Sequence, residues 1–275
     1  MEKLRNFLTV HKVTVILIAV LGLLALGVYF AFQKFAVIPS VPVEEIDLSF
    51  DSEGPYALLF PRRDGNALIL NLKRTSSYEN ISYELAYTAE GVDRGVMGEV
   101  NTKEKKGEYE QEILFGTCSK NVCKYDQGVE NGTLVLKIKK GNKLFRMITQ
   151  WHLQKPDVAL GVLSSGDAHL VYKMDAEREA LSAVGFTIIN DLTGVPKLPA
   201  ESQVLGKVYS LNAPVAKSLP EGDLSVELAE NPPDGAKLFR FDGSKWQELE
   251  TKVDGSKLSS KSGGAGIFAV LIPQK

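Results

Sequence analysis

From Val13 to Phe32 the chain runs for 20 residues without a charge, VTVILIAVLGLLALGVYFAF. At ~1.5 Å per residue a helix of this length spans roughly 30 Å, the hydrocarbon thickness of a bilayer. A helix also satisfies its own backbone there. A buried core helix would carry a polar face, and this run has none. Tyr29 and Phe30 sit near one end, where aromatic rings suit a membrane interface. The stretch 13–32, with Val13, Leu17, Leu24 and Phe32 along it, is therefore expected to be a membrane-spanning anchor. Lys3, Arg5 and Lys12 precede it and Lys34 alone follows closely, which places the N-terminus (1–12) in the cytoplasm and the body outside. A cleaved signal peptide would have an apolar core of about 7–15 residues ending at a small-x-small site; here the core is longer and ends in bulky residues. The expected localisation is the cell membrane, single-pass, through an uncleaved signal-anchor. Residues 33–46, with Pro39 and Pro42, read as a semi-rigid spacer.

The remaining body alternates in the manner of half-buried strands. Ile81, Tyr83, Leu85 and Tyr87 share one face of a run whose other face is Ser82, Glu84 and Ala86. Leu134, Leu136 and Ile138 point one way, while Val135, Lys137 and Lys139 point the other. Gly141-Asn142 then turns the chain into a strand that buries Phe145, Met147, Thr149, Trp151 and Leu153. Leu58–Phe60 and Ala67–Leu72 form a second strand pair. Short strands with frequent turns over 47–156 suggest an antiparallel sandwich of immunoglobulin or fibronectin-III kind, closed near Pro156. Over 157–275 the pattern continues, with helix formers clustered from Asp175 to Leu181, a buried strand over 184–190, and turns at Asp242-Gly243 and Asp254-Gly255. The expected fold class is mostly β: one N-terminal transmembrane helix followed by two antiparallel β-sandwich domains.

The C-terminal part carries a recognisable order of motifs: Val208-Tyr-Ser-Leu, Leu224-Ser-Val-Glu-Leu, Leu238-Phe-Arg-Phe-Asp-Gly-Ser-Lys-Trp, Val253-Asp-Gly and Gly266-Ile-Phe-Ala. This run resembles ZU5-like β-sandwich modules of bacterial surface proteins. The resemblance implies an Ig-like fold from about residue 184 or 208 onward, and it carries over no catalytic residue.

Cys118 and Cys123 are the only cysteines. Outside the cytoplasm they are expected to form a disulfide pinning a short loop, with reduced thiols as the alternative. A zinc site would need further ligands close by, and a redox pair would have two intervening residues. With three histidines in the chain, metal and thiol chemistry have few routes. Asp167 and His169 are two positions apart and would share a strand face, as an acid–base pair needs; Ser-Gly-Asp also reads simply as a turn. Trp151 and Trp246 are ligand platforms in one reading and core in the other. Lys137, Lys139, Lys140, Lys143 and Arg146 make a positive edge that meets anionic polymer or lipid headgroups, or merely guards a strand against edge pairing. Asn80-Ile-Ser and Asn131-Gly-Thr match the glycosylation pattern, relevant to a eukaryotic source. A net charge of −2 gives no field that draws nucleic acid.

These residues assign no catalytic, cofactor or metal site. The expectation is a binding or structural protein of the cell envelope, touching cell-wall polymer or another envelope protein, with no cofactor and no turnover. The alternatives are an extracytoplasmic hydrolase acting on envelope polymer and an accessory subunit of an envelope complex.

Overall fold

Strand-forming alternation governs most of the computed structural model, which describes residues 12–35, 44–104, 107–120 and 122–274. The chain divides into two units, Met1–Val43 and Glu44–Lys275.

In the first unit, α1 (Lys12–Phe35) is a continuous helix of 24 residues. Leu17 and Leu24 are exposed on it; the side chains of Val13 and Phe32 lie outside the described residues. Among the described residues no helix is long and apolar enough to cross a membrane. The transmembrane element of the expected fold class, and the signal-anchor reading with it, is corrected accordingly. The N-terminal stretch 1–11 and most of the proline spacer (36–43) lie outside the described residues.

The second unit begins with β1 (Glu44–Asp47), β2 (Tyr56–Pro61), β3 (Ala67–Lys73), β4 (Asn80–Ala89), β5 (Val92–Val100) and β6 (Glu108–Leu114). A short ribbon, β7 (Gly116–Ser119) and β8 (Val122–Tyr125), precedes the long hairpin of β9 (Asn131–Lys140) and β10 (Lys143–Gln154). Next come β11 (Val162–Ser164), β12 (Leu170–Met174), helix α2 (Arg178–Val184), β13 (Thr187–Asp191) and β14 (Ser202–Asn212). The chain ends through β15 (Gly222–Glu227), β16 (Lys237–Phe241), β17 (Trp246–Glu248), β18 (Lys252–Asp254), β19 (Lys257–Ser262) and β20 (Gly266–Pro273). The helical cluster expected from Asp175 thus starts three residues later, at Arg178, and stops where Gly185 takes a φ of 86°.

Ten strands join in one sheet, in the order β17-β16-β20-β14-β13-β10-β9-β4-β5, with β1 added parallel to β10. The link is β10 against β13, where Trp151 lies opposite Asn190 and Leu153 opposite Ile188. The sheet therefore passes through the region around Pro156 without a break. Two separate sandwiches are corrected to one shared sheet with two smaller covers, β2-β3-β6 and β11-β12-β15-β19-β18.

Side-chain alternation on β13 explains the arrangement. Ile188 faces one way, into a core with Leu59, Leu70, Leu85, Leu136 and Trp151. Ile189 faces the other, into a core with Tyr172, Leu224, Leu211 and Phe268. We call these sides front and back. The three-stranded sheet covers the front of β4, β9 and β10; the five-stranded sheet covers the back of β14, β16 and β20. A third cluster, with Tyr56, Val195, Val208 and Ala269, fills the front beside β2. Each fully buried Leu, Ile or Phe contributes about 1.5–3 kcal/mol, and burial on both faces gives the short β13 twice the anchoring of an ordinary strand.

The covers are fastened at their edges. Strand β2 is an edge strand whose outward carbonyls alternate at Pro55, Ala57 and Leu59. They accept hydrogen bonds from Thr193 Oγ1 (2.8 Å), Asn190 Nδ2 (3.0 Å) and Asn212 Nδ2 (2.9 Å) on the long sheet. On the back, the edge strand β11 is closed by Gln154, whose amide donates to Ser164 O (2.7 Å) and accepts from Ser164 N (3.0 Å). His152 Nδ1 lies 3.0 Å from the same oxygen. Unpaired strand edges are aggregation-prone; here side-chain amides occupy them.

Candidate functional site

Because the five-stranded cover stops at β11, the back of β10, β9 and β4 lies open beside it. The turn between β11 and β12 forms a wall at this step, and a cavity of about 570 Å³ lies against it. Its floor is strand ends: Ala86 and Thr88 of β4, Thr133 of β9 and Gln150 of β10. Small side chains at 86, 132 and 133 keep the floor low. Gly132 is required here, since a Cβ would overlap the carbonyl of Ala86 and the ring of Trp151 beneath it.

The wall is fixed by Asp167. Its carboxylate accepts from Ser165 Oγ (2.5 Å), His169 N (3.2 Å), Lys207 Nζ (2.9 Å) and Tyr209 Oη (3.0 Å). His169 Nδ1 stands 3.3 Å away. Burial alone would raise this acid, but the hydrogen bonds from Ser165, Lys207 and the His169 backbone outweigh it and hold Asp167 well below the usual carboxylate range. Lys207 also reaches Asp191 at 3.4 Å. Asp191 behaves in the opposite way: burial raises it, offset only in part by the Gln150 N–H (2.5 Å) and by Lys207. Burial is the largest influence on both; at Asp191 it prevails, helped by the Asp167 charge, while at Asp167 the combined donors Ser165, Lys207 and the His169 N–H overcome it. Tyr209 is pushed up by burial and by that same negative charge.

The Asp167–His169 proximity expected from spacing is therefore real, but the acid is engaged by four donors. That describes a lock on a turn. Charged residues at the far side of the cavity are similarly held: Asp93 accepts from Thr88 Oγ1 (2.9 Å), and Arg94 pairs with Asp126 at 3.8 Å. Tyr87 donates to Asp126 at 3.1 Å and is pushed up to about 12, by burial first and then by that carboxylate. Against these, the side chains of Asn131, Thr133 and Gln150 make no hydrogen bond among the described residues and border the cavity.

The sequence matches no protein-family model and no curated protein.

Other residues singled out from the sequence fall elsewhere. Cys118 and Cys123 face each other across the β7–β8 ribbon and are bonded, with an S–S distance of 2.00 Å. Trp151 is core, 1% exposed and stacked on Phe115 with ring centres 5.8 Å apart. Trp246 packs on Phe241 at 5.4 Å and donates to Lys197 O at 3.0 Å. In the lysine edge, Lys137 pairs with Glu84 (3.8 Å) and Arg146 with Asp47 (3.3 Å), so two of its charges are balanced. Lys139, Lys140 and Lys143 lie at the hairpin end, where Lys143 is opposite Lys140. Among the described residues no group of three or more His, Cys, Asp or Glu side chains is placed to hold a metal ion.

Asp191, Lys207, Tyr209 and Gln150 were not singled out by sequence reasoning. Local spacing does not relate them to Asp167. One usable signal was present: Ile188-Ile-Asn-Asp191 ends a buried run in a carboxylate, and such a group needs a partner.

Proposed function

We propose that the body Glu44–Lys275 is a recognition protein of an oxidising, extracytoplasmic compartment, holding a polar partner in the cavity at the step. The observation that carries this reading is the contrast within the site: its charged groups already have partners in the protein, while Asn131, Thr133 and Gln150 offer free donors and acceptors around the cavity. Binding residues on strand ends and turns held by a rigid sheet are the usual arrangement for recognition. The Cys118–Cys123 bond supports the compartment, because disulfides persist outside the reducing cytosol. Envelope polymer and another envelope protein are the partner classes in keeping with that compartment. Kinship of the C-terminal strands with ZU5-like modules is a proposal that rests on the motif order alone.

The test is retention of the full chain on insoluble envelope polymer and on a detergent extract of envelope proteins, each beside the triple variant Asn131→Ala/Thr133→Ala/Gln150→Ala. Retention on one matrix that the variant loses at unchanged Tm supports the site. Equal retention of the two proteins, or retention of neither, overturns it.

A further inference from the structure

The front of the long sheet has its own step. Where the three-stranded cover ends at β2, a second cavity of about 440 Å³ lies between its outer face and the front of β14, β16 and β20. Its character is different. Tyr56 and Phe60 of β2 line it from one side, Phe241 and Ile267 from the other. A mostly apolar concavity of this size with a few convergent polar groups is the usual form of a small-molecule site (about 300–1,000 Å³).

Among the polar groups two amide oxygens have no donor. Asn212 is 6% exposed and lines the cavity. Its Nδ2 is committed to Leu59 O and to Ser210 Oγ (2.7 Å), which fixes the direction of the amide. Its Oδ1 receives no hydrogen bond among the described residues, yet it is not sealed from solvent. Asn71, across the cavity, points Nδ2 at Glu110 (3.3 Å), and its Oδ1, also without a donor, is sealed from solvent and so out of a ligand's reach. Asn212 Oδ1 is therefore the acceptor left for a partner that brings an N–H group into the cavity. The formal charge of the lining is one cation, Lys73, against two carboxylates, Glu108 and Asp242, a balance of −1. Lys73 is 2.7 Å from Glu108, while Asp242 is held by Ser244, Lys245 and Gln247.

We infer that this cavity binds a small primary amine carrying an aromatic or alicyclic ring, the ring between Phe60 and Phe241 and the ammonium toward Asn212 Oδ1. An anion of the same shape meets that unpaired oxygen and a lining of net charge −1 and is rejected, because like charges face each other.

The experiment is a titration of the full chain with phenethylamine and, separately, 3-phenylpropanoate, followed in two-dimensional ¹H–¹⁵N spectra through the Asn212 side-chain amide and the Trp246 indole N–H. Trp246 reports the site because it packs on Phe241. Expected are saturable shifts of both signals with phenethylamine, at least tenfold weaker in Phe60→Ala, and none with 3-phenylpropanoate. This substitution falls on a partly exposed residue of the cover and leaves Asn212 in place. Absence of a saturable shift, equal response to the two probes, or binding indifferent to Phe60→Ala each overturns the inference. The reading of the back cavity does not depend on the result.

Discussion

The two steps of the long sheet are built by the same device and end in different chemistry. On each face a smaller sheet covers half of the strands and stops, its last strand fastened by amides from the long sheet: Asn190 and Asn212 in front, Gln154 behind. The back step places small and polar residues of β4, β9 and β10 beside an ion-locked turn. The front step places aromatic residues of β2 and β16 beside donor-less amides. One architecture thus offers a more polar cavity and a more apolar one. Which residues alternate onto the uncovered face decides the difference.

If the sheet is one cooperative body, damage to either core must lower one shared transition. Trp151→Ala strikes the front core and Phe268→Ala the back, both sites being essentially fully buried. Each is expected to cost about 3–5 kcal/mol, with fluorescence and circular dichroism reporting the same midpoint in urea. Two separated transitions, one per variant, would show instead that β13 joins two independent bodies.

A smaller effect compares the fastenings. Asn190→Ala leaves Ala57 O without its long-sheet donor in a buried setting and should cost about 1–3 kcal/mol. Gln154→Ala removes a pair of bonds to Ser164 in a partly exposed setting and should cost about 0.5–1.5 kcal/mol. Denaturant melts rank them; the reverse order would mean that the back edge, not the front, holds the covers to the sheet.

Much of this was legible in the sequence where side chains alternate. The β9–β10 hairpin, its turn at Gly141 (φ 61°) and the inward set Leu134, Leu136, Ile138, Met147 and Trp151 follow from period-two patterning. The cysteine pairing followed from compartment reasoning and a short loop. The union of the two halves did not, because strand pairing between β10 and β13 depends on residues far apart along the chain. A hint lay in Thr187–Asp191, whose buried residues face both ways, a pattern that excludes a strand with one solvated face. The back cavity was barely legible: Asp167 and His169 stood out by spacing, while Lys207 and Asp191 reach them only through the tertiary fold.

The disulfide lies outside both cores, which makes it a test of how local the ribbon is. Closing so short a loop is worth ~2 kcal/mol in the chain-entropy picture. Cys118→Ser/Cys123→Ser should lower global stability by no more than that, with hydrogen exchange rising in β7 and β8 before the long sheet responds. Simultaneous loss of protection in β9 would place the ribbon within the cooperative unit.

The smallest expected effect separates the two carboxylates that share Lys207. Lys207 is half exposed, so its pairing is worth ~0–1 kcal/mol. Their signs differ. Asp167 is held below the ordinary value of 3.8, so its contribution is complete above that pH and disappears as pH falls through the folded value. Asp191 is held above 3.8, so folding favours its protonated form, and that contribution is lost as pH rises from 3.8 through the folded value. Urea midpoints followed across the acid range should therefore fall less steeply for Asp167→Asn below 3.8, and for Asp191→Asn decline less on the side above it. Parallel curves for Asp167→Asn and the unsubstituted chain would mean that the turn is held by Ser165 and Tyr209 without help from the charge, leaving the back cavity's wall as a hydrogen-bonded element indifferent to acid.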